Sequence, residues 1–239
     1  MEAIQPDTFL ELKKSFERDG VLVLENFFSS DELAGVREAI GRMLLTPRKT
    51  ADVDRPSYWK RFETNPIPLG MEAEKEPSFI QLKQNQKMNA LTEALLGKGF
   101  QQNNLLVMAT PKGIGQAWHQ DCPPDPKQKD YTVNRLIYPS DVRPESGSVV
   151  FVPGSHLKGA IPPGGNQDSM EGEVRLNPKA GTLVILHSLT YHRVTLNETE
   201  TPRLSINFRV TPEGSARNPD SVAYFRNGTY DFVKNEPVS

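Results

Sequence analysis

The sequence predicts a mainly β fold, a sandwich or barrel, with helices ahead of it. Short apolar runs recur at 104–109, 131–138, 148–152, 182–187 and 204–210. Turn clusters separate them: Pro111-Lys112-Gly113, Pro144-Glu145-Ser146-Gly147, Pro162-Pro163-Gly164-Gly165 and Lys179-Ala180-Gly181. Many short strands joined by Gly/Pro turns suit two packed antiparallel sheets, whereas an α/β sheet needs a helix between successive strands. The only helical periodicity lies before residue 100.

The elements follow in order. Residues 7–18 read as a helix with Phe9, Leu10, Leu12 and Phe16 as its apolar positions. Asp19-Gly20 signals a turn, and Val21-Leu22-Val23-Leu24 a short strand. Ser29 and Glu32 have capping-box spacing, opening a helix to about Leu45 that buries Leu33, Val36, Ile40 and Leu44. Residues 46–78 are rich in charge and proline, with Trp59, Phe62 and Met71 scattered among them, and read as an irregular segment. Such a stretch is either a binding loop or lid, or a surface loop with its own small apolar cluster. Residues 87–96 resume a helical pattern through Met88, Leu91, Leu95 and Leu96, ended by Gly97.

A chain of 239 residues suits one large β domain, expected here over 1–239 with 46–85 as a variable lid or substrate region. The net charge of −2 gives no electrostatic case for nucleic acid or an anionic membrane. No apolar run approaches the roughly 20 residues of a membrane span. The first ten residues lack a signal-peptide pattern. The single cysteine, Cys122, excludes an intrachain disulfide. The expectation is a cytoplasmic protein with no nucleic-acid or membrane partner, its oligomeric state undetermined.

Chemistry concentrates in Trp118-His119-Gln120-Asp121. On a strand, His119 and Asp121 at i and i+2 share a face. Two imidazoles and one carboxylate form the facial triad of non-haem Fe(II) sites, which leaves coordination positions open. The chain has four histidines, so the second imidazole is His156, His187 or His192. His156 falls in a turn, Pro153-Gly154-Ser155-His156. His187 ends the apolar run 183–187 and could equally be a core histidine or a hydrogen-bond partner of the metal site. Local spacing does not separate His187 from His192. Downstream, Arg203 and Ser205 share one strand face, suited to a carboxylate. Arg209 has the same parity and competes for that role.

Together these stretches resemble the phytanoyl-CoA dioxygenase-like family of Fe(II)/2-oxoglutarate oxygenases. The matching pieces are 118–121, Pro144-Glu145-Ser146-Gly147-Ser148 leading into 153–156, Ala180-Gly181-Thr182, Leu186-His187-Ser188, Tyr191-His192-Arg193 and Pro202-Arg203. The opening Arg18-Asp19-Gly20-Val21-Leu22-Val23-Leu24 and Ser30-Asp31-Glu32-Leu33 also match, leaving 46–85 as the main unmatched part. The resemblance implies a double-stranded β-helix (a cupin-like jelly roll) with flanking N-terminal helices. It implies His119, Asp121 and His192 as catalytic iron ligands, with His187 a non-ligand. Arg203, eleven residues beyond His192, falls where the family holds the distal carboxylate of 2-oxoglutarate, with Ser205 as helper and Asn104 a candidate second contact. Val194 departs from the small hydroxyl residue that many relatives carry. Asp121 argues against halogenation, because halogenating relatives lack this carboxylate. The implied cofactors are Fe(II), 2-oxoglutarate and O2. The implied reaction is hydroxylation of an unactivated C–H, with succinate and CO2 released. No basic cluster marks a CoA phosphate, which favours a small or secondary metabolite as substrate. Trp118, Tyr131 and Cys122 are candidate pocket walls or plain core. Two other classes stay open: a metal cupin that does not use 2-oxoglutarate, and a non-catalytic binding or sensor protein on the same scaffold.

Overall fold

The computed structural model describes residues 6–45, 67–68, 73–121, 131–162, 164–165, 168–215, 230–231 and 236–237. The chain begins with α1 (Pro6–Asp19), β1 (Val21–Leu24) and α2 (Ser30–Leu45). Gly20 makes the turn between α1 and β1 at φ +71°, and a side chain there would strike His156 and Thr190. The capping box forms as the sequence predicts: the Ser29 N–H donates to Glu32 Oε2 (2.8 Å) and the Glu32 N–H to Ser29 Oγ (3.2 Å). These bonds satisfy two donors that a helix start leaves open.

Next come β2 (Ile67–Pro68), α3 (Pro77–Lys83) and α4 (Gln86–Leu96). The start of α3 lies inside the stretch read from sequence as irregular. Seven residues give barely two turns, too few for a periodic signal, yet Phe79 and Leu82 are buried. The rest of the expected lid, 46–66 and 69–72, lies outside the described residues, as does Cys122.

The remaining strands are β3 (Gln101–Thr110), β4 (Gln116–His119), β5 (Val133–Ile137), β6 (Val149–Phe151), β7 (Val174–Leu176), β8 (Leu183–His187), β9 (His192–Val194), β10 (Arg203–Thr211), β11 (Tyr230–Asp231) and β12 (Glu236–Pro237). A six-stranded sheet runs in the order β1-β8-β5-β10-β3-β2, a four-stranded sheet in the order β4-β9-β6-β7, and β11 pairs with β12. The pairings are antiparallel.

Side-chain alternation divides the interior. From β10, Ile206, Phe208 and Val210 join Val107, Val133, Leu183 and Ile185 in a core beneath the helices, with Leu33, Val36, Ile40, Phe79 and Leu91. The opposite residues of β10, namely Arg203, Ser205, Asn207 and Arg209, face the smaller sheet. Between the sheets, Val184 and Leu186 pack on Tyr138, Val149 and Phe151. Trp118, Val150 and Tyr191 form a third cluster, with the Trp118 and Tyr191 rings stacked at 5.0 Å. Trp118 is fully buried in this cluster. Among the described residues, no helix is long and apolar enough to cross a membrane.

Candidate metal centre

His119 ends β4, and His192 opens the neighbouring strand β9 directly opposite it. The two rings lie 4.3 Å apart. Asp121 follows two residues after His119, and its carboxylate Oδ1 is 3.7 Å from His119 Nε2. One ligand atom from each of His119, Asp121 and His192 lies within 4.8 Å of the others. Two ligands each about 2.1 Å from one ion can span at most about 4.2 Å, so the His119–Asp121 pair fits a shared ion.

The strand expectation for the pair needs correction. Only His119 is on β4; Asp121 sits in the bend beyond it. Its N–H donates to Ser188 O (2.7 Å), so the ordinary strand alternation does not aim its carboxylate. The bend is held from the other side by Gln120, whose Nε2 donates to Gly159 O (2.9 Å) and Leu189 O (2.8 Å). Its Oε1 accepts the Ile161 N–H (3.0 Å). Gln120 thus ties two loops together while its neighbours form the site.

Both imidazoles have a fixed tautomer. His119 Nδ1 is 2.7 Å from Ala117 O, and His192 Nδ1 is 2.8 Å from Thr190 O. A carbonyl only accepts, so each Nδ1 carries the proton and each Nε2 keeps its lone pair. Burial, reinforced by His119, pushes His192 down to about 4, leaving it neutral near pH 7. Burial alone would raise Asp121, but the Arg209 guanidinium beside it holds its carboxyl well below the ordinary range. Metal ligation takes imidazole Nε2 lone pairs and an ionised carboxylate, and the Nδ1 contacts leave both Nε2 atoms for that role. The donor set fits non-haem Fe(II).

The other histidines fall elsewhere. His187 stacks on Tyr131 at 4.2 Å, and His156 lies 5.0 Å away, centroid to centroid. The His187 Nδ1 accepts the Leu189 N–H (3.1 Å). His156 Nε2 is 3.2 Å from Glu17 O on α1. Neither belongs to the triad, and Tyr131 packs on His187.

Arg203 is buried at the start of β10, donating to Thr110 Oγ1 (3.2 Å) and Gly147 O (3.4 Å). No carboxylate lies within ion-pair distance of it among the described residues. Ser205 shares its face, opposite Met108. Asn104 lies in β3, where pairing with β10 slips between Phe208 and Val210; its side chain lies outside the described residues. Val194 pairs with Val149 and Gln116 and offers no hydroxyl.

Arg209, the competing arginine on this face, is bonded to the metal-site carboxylate. Its Nη2 donates to Asp121 Oδ1 (3.1 Å) and its Nε to Asn134 Oδ1 (2.8 Å). Asn134 Nδ2 in turn donates to Asp121 Oδ2 (2.6 Å), and Asn207 Nδ2 to Asn134 Oδ1 (2.8 Å). Sequence reading missed Asn134 and Asn207. Asn134 sits in the run 131–138, read only as a strand, and its polar side chain at an interior-facing position was the available signal.

The model of the phytanoyl-CoA dioxygenase (PhyH) family matches residues 16–205, which contain the whole triad and Arg203. The chain belongs to the phytanoyl-CoA dioxygenase family. An ectoine dioxygenase of Sphingopyxis alaskensis (strain DSM 13593 / LMG 18877 / RB2256) is 27% identical over 151 residues, 59% of this chain. That match spans about half of the relative, 48% of its length. A probable alpha-ketoglutarate-dependent hypophosphite dioxygenase of Stutzerimonas stutzeri is 23% identical over 207 residues, covering 77% of this chain and 72% of the relative. Among solved structures, the epimerase SnoN in complex with Fe3+, alpha ketoglutarate and nogalamycin RO superposes with a TM-score of 0.69. It is 20% identical and the match covers 98% of this chain and 97% of that one. The shared fold is the jelly roll with N-terminal helices that the family resemblance implies.

Proposed function

We propose that this family member is an Fe(II)- and 2-oxoglutarate-dependent dioxygenase that hydroxylates an unactivated C–H bond of a small molecule. One oxygen atom of O2 enters the substrate and the other enters succinate, with CO2 released. The observation that carries the reading is the buried triad, with both histidine tautomers fixed and the carboxylate held anionic. His119, Asp121 and His192 would hold the iron. Bound there, iron supplies the activation of O2 that no amino-acid side chain provides.

The remaining tasks fall to the chain. Arg203 is a buried guanidinium bonded to neutral acceptors, a costly state unless an anion completes it. The distal carboxylate of 2-oxoglutarate is such an anion, and Ser205 is placed on the same face to assist. Asn104, on β3, is the proposed further cosubstrate contact. Asn134 and Arg209 keep Asp121 in one orientation. The packed walls around Tyr138 and Phe151 exclude water between the sheets. A cytoplasmic setting suits a chain with a single cysteine, which forms no intrachain disulfide.

The test is Fe(II)- and ascorbate-dependent release of succinate from 2-oxoglutarate, coupled or uncoupled. Turnover is expected in the wild type. Arg203→Ala should raise the apparent 2-oxoglutarate constant at least about tenfold, the cost of losing a charge-assisted hydrogen-bond pair, with metal content unchanged. Absence of turnover and of a 2-oxoglutarate-dependent charge-transfer absorption in the wild type would instead favour a metal cupin of other chemistry or a binding protein.

A further inference from the structure

Arg209 holds more hydrogen-bonding capacity than its neighbours use. It is 6% exposed, and its Nη1 has no hydrogen-bond partner among the described residues. Asn207, two residues along the same face, is 8% exposed, and its Oδ1 is likewise without a partner. A buried donor and a buried acceptor left open on one strand face carry a desolvation cost that native interiors seldom leave uncompensated. Both belong to the network that ends on the metal-site carboxylate, through Arg209 Nη2 to Asp121 Oδ1 at 3.1 Å and Asn207 to Asn134 at 2.8 Å. The open positions therefore lie next to the reacting centre and between the sheets, where a substrate would sit.

Charge points the same way. With a divalent ion and a dianionic cosubstrate in place, the two guanidinium groups leave one positive charge over after Asp121 is counted. Among the described residues, Asp121 is the only acidic side chain within ion-pair distance of Arg203 or Arg209. An uncompensated charge in a buried site is unfavourable, and an incoming anion relieves it.

We propose that Arg209, with Asn207 and Asn134, is the substrate-anchoring subsite of this enzyme and selects a small molecule bearing a carboxylate. Arg209 Nη1 receives the carboxylate, while Asn207 Oδ1 accepts from a donor on the same molecule. Because the same guanidinium touches Asp121, the carbon presented for oxidation lies only a few bonds from that carboxylate. The inference rests on the proposed 2-oxoglutarate chemistry.

The experiment uses the full chain loaded anaerobically with Fe(II) and 2-oxoglutarate. It is titrated with butanoate and benzoate, and with butanamide and benzamide as neutral counterparts, following the charge-transfer absorption and the thermal midpoint. The carboxylates should bind at least about tenfold more tightly than the amides. Read per iron- and cosubstrate-loaded molecule, Arg209→Gln should remove that preference, and Arg209→Lys should restore part of it. Equal binding of acids and amides by the wild type overturns the proposal. So does an Arg209→Gln protein whose loaded molecules keep the acid preference, which would confine Arg209 to holding Asp121. A wild type that forms no charge-transfer band fails the proposed function as a whole. A band without a carboxylate preference fails this inference alone.

Discussion

At the scale of single residues, three of the four histidines divide by the partner of Nδ1. His119 and His192 donate from Nδ1 to a carbonyl two residues earlier, which turns Nε2 into the ligand nitrogen. His187 accepts at Nδ1 from the Leu189 N–H, which places its proton on Nε2. His192→Ala should therefore abolish metal binding, while His187→Asn, which keeps an acceptor, should retain it, as read by bound iron per chain. The opposite result would exchange their roles. His187 also has a consequence for acid stability. Burial, with His156 beside it, pushes it from 6.5 down to about 3. The unfolded chain then takes up the proton first, so the contribution is complete above pH 6.5 and is lost as pH falls toward 3. Urea titrations between neutral pH and about pH 5 should show the wild type losing about 2 kcal/mol more than His187→Asn.

At the scale of elements, the helical layer is fixed by caps and by one buried arginine. Glu32 completes the capping box of α2, and its Oε1 also accepts from Asn85, the N-cap of α4 (3.1 Å). Arg135 on β5 reaches the other way, donating to Asn89 on α4 (2.9 Å) and to Phe208 O on β10 (3.1 Å). Burial pushes Arg135 down to about 9, a measure of how dry that junction is. Ser29→Ala removes one cap acceptor and should cost about 1 kcal/mol in urea denaturation. Turnover per folded molecule should not change, since α2 packs on the face of the large sheet opposite the triad. A fall in turnover with stability intact would show that the helical layer reaches the site.

At the scale of the molecule, the centre joins the two sheets. His119 and His192 come from the small sheet, while Asp121 is clamped to the large one by Asn134 on β5 and Arg209 on β10. A bound ion should therefore stabilise the whole fold, by about 2.7 kcal/mol when free metal is about a hundredfold above its dissociation constant. The thermal midpoint should rise on adding Fe(II) or Mn(II) and fall with chelator, and Asp121→Ala should abolish the increment. An increment that survives Asp121→Ala would place the ion elsewhere. Much of this architecture was legible in the chain itself. Apolar runs and Gly/Pro turns determined the β class, capping and periodicity determined α1, α2 and α4, and ordered motifs determined the family, because each of these signals lies within a few consecutive residues. What only the tertiary structure decided is long-range. It set His192 opposite His119 and His187 against Tyr131, moved Asp121 off its strand into a bend, packed α3 into the core, and paired Arg209 with Asp121. Those outcomes depend on which strands become neighbours, and strand neighbours in a jelly roll are far apart in sequence: β4 meets β9, and β5 meets β10. The His119–Asp121 motif named the chemistry, and the pairing of distant strands assembled the site around it.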